Sequence, residues 1–198
     1  MTPAEPRDSN PFPGLRPFEP DWSALFFGRD EQTDQLLDKL ARRRFVAVVG
    51  DSGSGKSSLV RAGLIPAIHL GYLRTGSRWR IAVMRPGSAP MRHLRDALAG
   101  PDVLAGAPDL TGTLERSSLG LAEAVKAGQR GETWNLLVVV DQFEELFRQA
   151  RDQAGATEEQ AHFVKLLLAA SEQESVPIYV VLTMRSDSLG DCASPTSW

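Results

Sequence analysis

Apolar positions along this chain follow two alternating periods. Four short runs are largely apolar: Phe45-Val46-Ala47-Val48-Val49, Ile81 to Met84, Leu136 to Val140 and Ile178 to Met184. Each has the length and composition of a strand, and Leu136 to Val140 is the pattern of a strand covered on both faces. Between them the spacing changes to that of one helical face. Leu36, Leu37 and Leu40 mark a helix over Asp30 to Arg43, and a second helix is expected from Lys56 to Leu70. Met91, Leu94 and Leu98 mark a third, and Leu114, Leu121 and Val125 a fourth. Phe143, Leu146, Phe147 and Ala150 sit at i, i+3, i+4 and i+7. Thr157 to Gln160 fits a capping box opening a last helix, with Val164, Leu167 and Leu168 on its buried side. Strands alternating with helices imply βαβ crossovers. The expected fold is α/β: a mostly parallel sheet between two helical layers.

Breakers divide the chain. Six prolines (Pro3, Pro6, Pro11, Pro13, Pro17, Pro20) exclude regular helix from residues 1–20, which are expected to be an extended lead-in. Residues 21–185 hold the core, and residues 186–198 are expected to form an irregular tail. The Gly-, Pro- and Asp-rich segment Gly100 to Gly112 reads as a loop. Arg42-Arg43-Arg44, at the end of the first helix, reads as a solvated, dipole-complementing terminus.

Composition narrows the chemistry. With 22 basic and 25 acidic residues among 198, the net charge of -3 gives no global case for nucleic acid. The single cysteine, Cys192, excludes an intrachain disulfide and a cysteine-based metal site. His69, His93 and His162 lack metal-ligand spacing and read as surface or packing residues. No apolar run approaches the ~18 residues of a membrane span. The N-terminus lacks a basic-then-apolar signal pattern, so a cytoplasmic location is the default expectation.

The candidate chemistry starts directly after the first strand. Gly50-Asp51-Ser52-Gly53-Ser54-Gly55-Lys56-Ser57-Ser58 is G-x-x-x-x-G-K-[ST], the phosphate loop of Walker A, between a strand and a helix. Its glycines let successive N–H groups turn inward as an anion nest, and the following helix points its positive end there. Lys56 is expected at the β- and γ-phosphates and the Ser57 hydroxyl on Mg²⁺. Leu136 to Asp141 adds Walker B, an apolar strand ending in an acid. In a parallel sheet the loops after the strands share one edge, which brings Asp141 beside Ser57 as a second Mg²⁺ ligand. The competing reading of Asp141 is a helix N-cap. Glu144 and Glu145 are the candidates for orienting or deprotonating the attacking water, with Glu145 slightly preferred because it lies opposite the Phe143–Phe147 face. Arg185 or Thr183, at the end of the last strand, is expected near the γ-phosphate if that strand adjoins the first.

These pieces together resemble the bacterial novel STAND branch of signal-transduction P-loop ATPases, relatives of the NACHT ATPases. The resemblance rests on NPFPGLRPFEPDWSALFFGRDEQ (10–32), RFVAVVGDSGSGKSSLVRAGLIPAI (44–68), VVVDQFEELF (138–147) and VVLTMRSD (180–187). It implies a three-layer P-loop NTPase of ASCE/STAND type, and adenine contact by Phe27, Gly28 and Arg29. It also implies a switch in which ADP holds a closed state and ATP promotes assembly, with slow hydrolysis as the reset. Partners and self-association would act through helical and sensor domains that follow the core in such proteins. The last core strand and those domains are expected to be missing, as in a fragment. Asp51 stands where the family often has proline. Two other classes compete: a non-hydrolysing, nucleotide-stabilised oligomerisation module and a small-molecule P-loop kinase. The kinase would need an arginine-rich lid.

Overall fold

A computed structural model describes residues 17–19, 26–73, 75, 78–150 and 156–192. Its centre is a sheet of four parallel strands: β1 (Phe45–Gly50), β2 (Arg78–Met84), β3 (Trp134–Val140) and β4 (Ile178–Arg185), in the order β1-β4-β3-β2. β3 is apolar in nearly every position because it is interior and both of its faces are covered. Alternation then sends its residues to two cores. Leu136, Val138 and Val140 pack with Ile178, Val180 and Leu182 beneath one helical layer. Leu137 and Val139 pack with Tyr179 and Val181 beneath the other. The three-layer α/β arrangement expected from the sequence is the one observed.

The layer on the second core consists of α1 (Asp30–Arg42) and the helical run after the phosphate loop. That run is α2 (Lys56–Ser58), a π-helical segment (Leu59–Leu64) and α3 (Ile65–His69), rather than one uniform helix. Pro66 offers no N–H, which fits the widened hydrogen bonding just before it. Gly63 lets α1 approach: a side-chain carbon there would lie 2.7 Å from Thr33 Oγ1.

The opposite layer holds α4 (Pro90–Leu98), α5 (Leu110–Arg116), α6 (Gly120–Gln129), α7 (Glu145–Ala150) and α8 (Ala156–Glu172). Several expectations need correction here. The single helix through Leu114 and Val125 is two helices, broken at Ser117, whose backbone is extended and whose Oγ accepts a bond from Leu119 N. The loop from Gly100 ends early, because the Asp109 carboxylate caps α5 by accepting from Gly112 N at 3.1 Å. α8 opens at Ala156, and the Thr157 side chain of the expected capping box lies outside the described residues. The Gln160 amide donates to Leu146 O at 2.8 Å and ties α8 to α7. Leu168 is 42% exposed, and Phe163, Leu166, Leu167 and Ala170 are the buried positions. Arg44 is not simply solvated: it donates to Gln173 O and lies over the Tyr179 ring. Of the expected irregular tail, Ser186–Ser188 forms a 3-10 turn and Leu189–Cys192 a short helix, α9. Residues 193–198 lie outside the described residues, as do residues 1–16 of the proline-rich lead-in.

Candidate functional site

Parallel strands place their following loops on one edge, and four such loops meet here. The phosphate loop follows β1, Arg85 follows β2, Asp141 follows β3 and Arg185 closes β4. Within the loop Gly53 (φ +75°) and Gly55 (φ +84°) occupy the left-handed region, which glycine reaches without cost. Lys56 curls back over the loop, donating to Gly50 O at 2.8 Å and Asp51 O at 2.7 Å. A cavity of about 420 Å³ opens above it, lined by Ser52, Gly53, Gly55, Lys56, Ser57 and Ser58. From the other loops come Arg85, Gln142, Glu144, Glu145, Arg148, Thr183 and Arg185, and Pro17 borders it from the N-terminal segment.

Asp141, only 1% exposed, is the hub. Its Oδ1 accepts from Ser57 Oγ at 2.6 Å and from Thr183 Oγ1 at 2.7 Å. Its Oδ2 faces Arg61 Nη2 at 3.4 Å and Arg85 Nε at 3.6 Å. The side chain is thus turned to the phosphate loop and is not spent capping a helix; α7 begins only at Glu145. Register explains the Thr183 contact. β4 lies between β1 and β3, Thr183 pairs with Val48, and its hydroxyl also accepts from Gln142 N at 2.9 Å. That bond holds Gln142 at φ +60°.

The two glutamates differ. Glu144 is buried (7% exposed), lines the cavity, and its Oε2 has no partner in the described residues. Glu145 is half-buried in the first turn of α7. Arg185 is paired with Asp187, Nη2 to Oδ2 at 2.5 Å and Nε to Oδ1 at 3.1 Å. The hydrogen bond and charge of Asp187 push the Arg185 guanidinium further up, and Arg185 in turn holds the Asp187 carboxyl below the usual range. Asp51 accepts from Ser186 Oγ at 2.6 Å, so the phosphate loop is clasped to the turn after β4.

The N-terminal elements sit at the rim. Phe18 N donates to Ser58 Oγ at 3.1 Å, and Glu19 receives Arg61 Nη1 on both oxygens at 3.0 Å. Arg61 therefore bridges the N-terminal segment and Asp141. Arg29 reaches Ser54 O at 3.3 Å, and Gly28 turns at φ +77°. Phe27, in contrast, is 78% exposed and none of Phe27, Gly28 and Arg29 lines the cavity. The neighbouring Phe26 is the one that packs, against Phe18 at 5.8 Å between ring centroids. Arg61, Arg85 and Arg148 were not anticipated as site residues. No motif marks them: Arg61 stands four after Ser57, Arg148 four after Glu144, and Arg85 follows a parallel strand as Asp141 does. His93 and His162 are packing residues, bonded to Pro86 O and Leu114 O at 2.9 Å each.

Nest, lysine, hydroxyl and buried carboxylate suit a nucleotide phosphate chain with a hard cation. Ser57 and Asp141 supply oxygen donors that already touch, and Mg²⁺ is commonly held by one or two protein oxygens plus phosphate and water. Among the described residues no cluster of three or more His, Cys, Asp or Glu could hold a metal unaided. The sequence matches Novel STAND NTPase 1 over residues 11–197. The chain belongs to the Novel STAND NTPase 1 family. The family membership and the parallel sheet together make it a nucleotide-binding P-loop module. No curated protein sequence matches it. Among solved structures it is similar in fold to the Aeropyrum pernix ORC2 protein in ADPNP-ADP complexes, with TM-score 0.52 and 16% identity. That match covers 81% of this chain and 41% of the other. The E. coli MS115-1 HORMA:CdnC:Trip13 complex matches at TM-score 0.45 and 16% identity, over 84% of this chain and 60% of that one. The chain thus spans less than two thirds of either structure's length. No helix among the described residues is long and apolar enough to cross a membrane.

Proposed function

We propose that this chain is the adenine-nucleotide switch core of a signalling ATPase, binding ATP or ADP with Mg²⁺ and hydrolysing ATP slowly. The observation that carries this reading is the convergence on Asp141 of the Ser57 hydroxyl, the Thr183 hydroxyl and two arginines at the mouth of the phosphate loop. Ser57 and Asp141 would hold Mg²⁺, which when bound would neutralise phosphate charge. Lys56 moves from the loop carbonyls to phosphate oxygens, a short rotation of a flexible side chain. Arg85, Arg148 and Arg185 surround the same cavity and offset charge that develops on the transferred group. Arg185 must first leave Asp187, which makes it suited to a reporter of the γ-phosphate.

Glu144 takes the general-base role in preference to Glu145. Glu144 lines the cavity, its Oε2 has no partner among the described residues and it is not consumed as a metal ligand, whereas Glu145 sits in a half-exposed helix turn. Nucleotide-dependent contacts with partner proteins or further copies of the chain complete the switch, with Phe27, Gly28 and Arg29 on the adenine side. A cytoplasmic location fits this role.

The test is phosphate release from Mg·ATP by the whole chain. Wild type is expected to turn over below the usual ~1–10³ s⁻¹ of enzymes. Glu144→Gln should lower that by about a hundredfold with ADP affinity retained, and Glu145→Gln should retain most of it. Equal turnover in wild type and Glu144→Gln would contradict the assignment. A second reading, a non-hydrolysing oligomerisation module, is favoured by the engagement of both Lys56 and Arg185 with their own chain. It predicts no turnover in wild type.

A further inference from the structure

A second cavity, of about 210 Å³, lies on the α4–α8 side of the sheet between the 101–109 turns, α5 and α6. It shares no lining residue with the nucleotide cavity. Arg80 lies at its base and pairs in register with Leu136, five residues before Asp141, hence roughly 16 Å down the strand direction. Apolar groups, among them Leu104, Leu110 and Ala124, form its walls, and Arg130 stands at its rim. The lining holds two arginines and no acid.

Arg80 is the unusual group. Its guanidinium stacks on Trp134 at 4.2 Å, and Nη1 donates to Val103 O. Among the described residues no carboxylate comes within ion-pair distance of it. A half-buried guanidinium has five donors, and most of these are left for something else. The indole beneath is fully buried, and among the described residues its Nε1 has no partner. Its Cζ2 edge, the one carrying Nε1, faces Gly128, where a side-chain carbon would sit 3.5 Å away. Arg80 and Arg130 therefore present guanidinium donors to a chamber whose wall is in part apolar. Such a chamber selects a ligand with an acceptor-only head and an apolar body.

We propose that this cavity is a binding site for a small monocarboxylate with an apolar body, its carboxylate on Arg80 and Arg130 and its body against Leu104, Leu110 and Ala124. The planar two-oxygen head matches the guanidinium fork. The volume is below that of drug-sized pockets, which limits the ligand to a small acid. The site goes beyond nucleotide binding and does not depend on it.

The experiment titrates the whole chain with phenylacetate and hexanoate, using phenylacetamide and inorganic phosphate as controls, by calorimetry and ligand-observed NMR. Saturable one-site binding of either acid is expected, without binding of the amide. Arg80→Met should weaken it by about tenfold or more, the loss of a charged partner. Because Arg80 also supports Trp134, Ala127→Phe provides an independent block: Ala127 is an exposed residue of the cavity lip, and the added ring fills the entrance. Lys56→Ala should bind the acids as wild type does. No saturation at millimolar acid, equal binding of amide or phosphate, or undiminished binding to Ala127→Phe would overturn the proposal.

Discussion

Thr183 uses one hydroxyl twice, donating to Asp141 Oδ1 and accepting from Gln142 N, at a position that is 1% exposed. Valine has the same shape and neither capacity. Thr183→Val would leave a buried N–H in a left-handed turn without a partner and remove one donor from a buried carboxylate. Chemical denaturation should show a loss of about 1–3 kcal/mol, with Thr183→Ser recovering most of it. Equal stability of the valine variant would mean that water satisfies the turn. Arg185 and Asp187 make a second claim at this scale. The hydrogen bond from Arg185 depresses the Asp187 carboxyl. A depressed carboxyl contributes to the folded state above its unfolded-state value, and that contribution is lost as pH falls through the folded value. Both side chains are exposed, so the effect on stability is screened. The direct readout is the Asp187 carboxyl titration by NMR. Its midpoint should lie below the ordinary ~3.9 and return towards it in Arg185→Ala. A midpoint at or above the ordinary value would remove the pairing.

At the scale of elements, strands were more legible than helix ends. The runs at Phe45, Leu136 and Ile178 appear within a residue or two of their expected limits. β3 and β4 are interior and apolar on both faces, whereas β1 is an edge strand in which only Val46 is fully buried. β2 starts at Arg78, three residues before its apolar stretch, since Arg80 finds a place over Trp134 that hydropathy does not record. The helical faces were legible in period but not in breaks. The α5–α6 corner depends on contact rather than pattern: a side-chain carbon on Gly120 would lie 2.2 Å from Thr113 O and 2.9 Å from Leu114 Cα. Backbone cannot yield as a side chain does. Gly120→Ala should therefore destabilise by about 1–3 kcal/mol in thermal or chemical unfolding. Gly190→Ala, where an added carbon would meet no described atom within 4 Å, should stay within about 0.5 kcal/mol. Matching effects at the two glycines would show that the corner relaxes freely.

Across the whole molecule, topology makes the site. The order β1-β4-β3-β2 sets Gly50 beside Arg185 and sends Asp141 under the phosphate loop, although Ser57 and Asp141 are 84 residues apart in sequence. Motif spacing was enough to anticipate that meeting. It was not enough to find the arginine ring, because Arg61, Arg85 and Arg148 carry no motif and gain meaning only when the strand ends converge. Nor did it separate Glu144 from Glu145, a difference of burial that depends on how α7 packs. The N-terminal contact through Glu19 and Arg61 was equally hidden, since an ion pair between residues 42 apart leaves no periodic trace.

The central claim is that the loop from Gly50 to Ser58 holds a nucleotide phosphate chain. Calorimetric titration of the whole chain with Mg·ADP, in wild type and in Lys56→Ala, tests it most directly. Lys56 is partly exposed and, among the described residues, bonds to carbonyls of its own loop, so the variant should fold as wild type does. The account predicts one saturable site in wild type and a loss of affinity of about a hundredfold in Lys56→Ala, the effect of removing a charged phosphate contact. Undiminished ADP binding by a folded Lys56→Ala would contradict it.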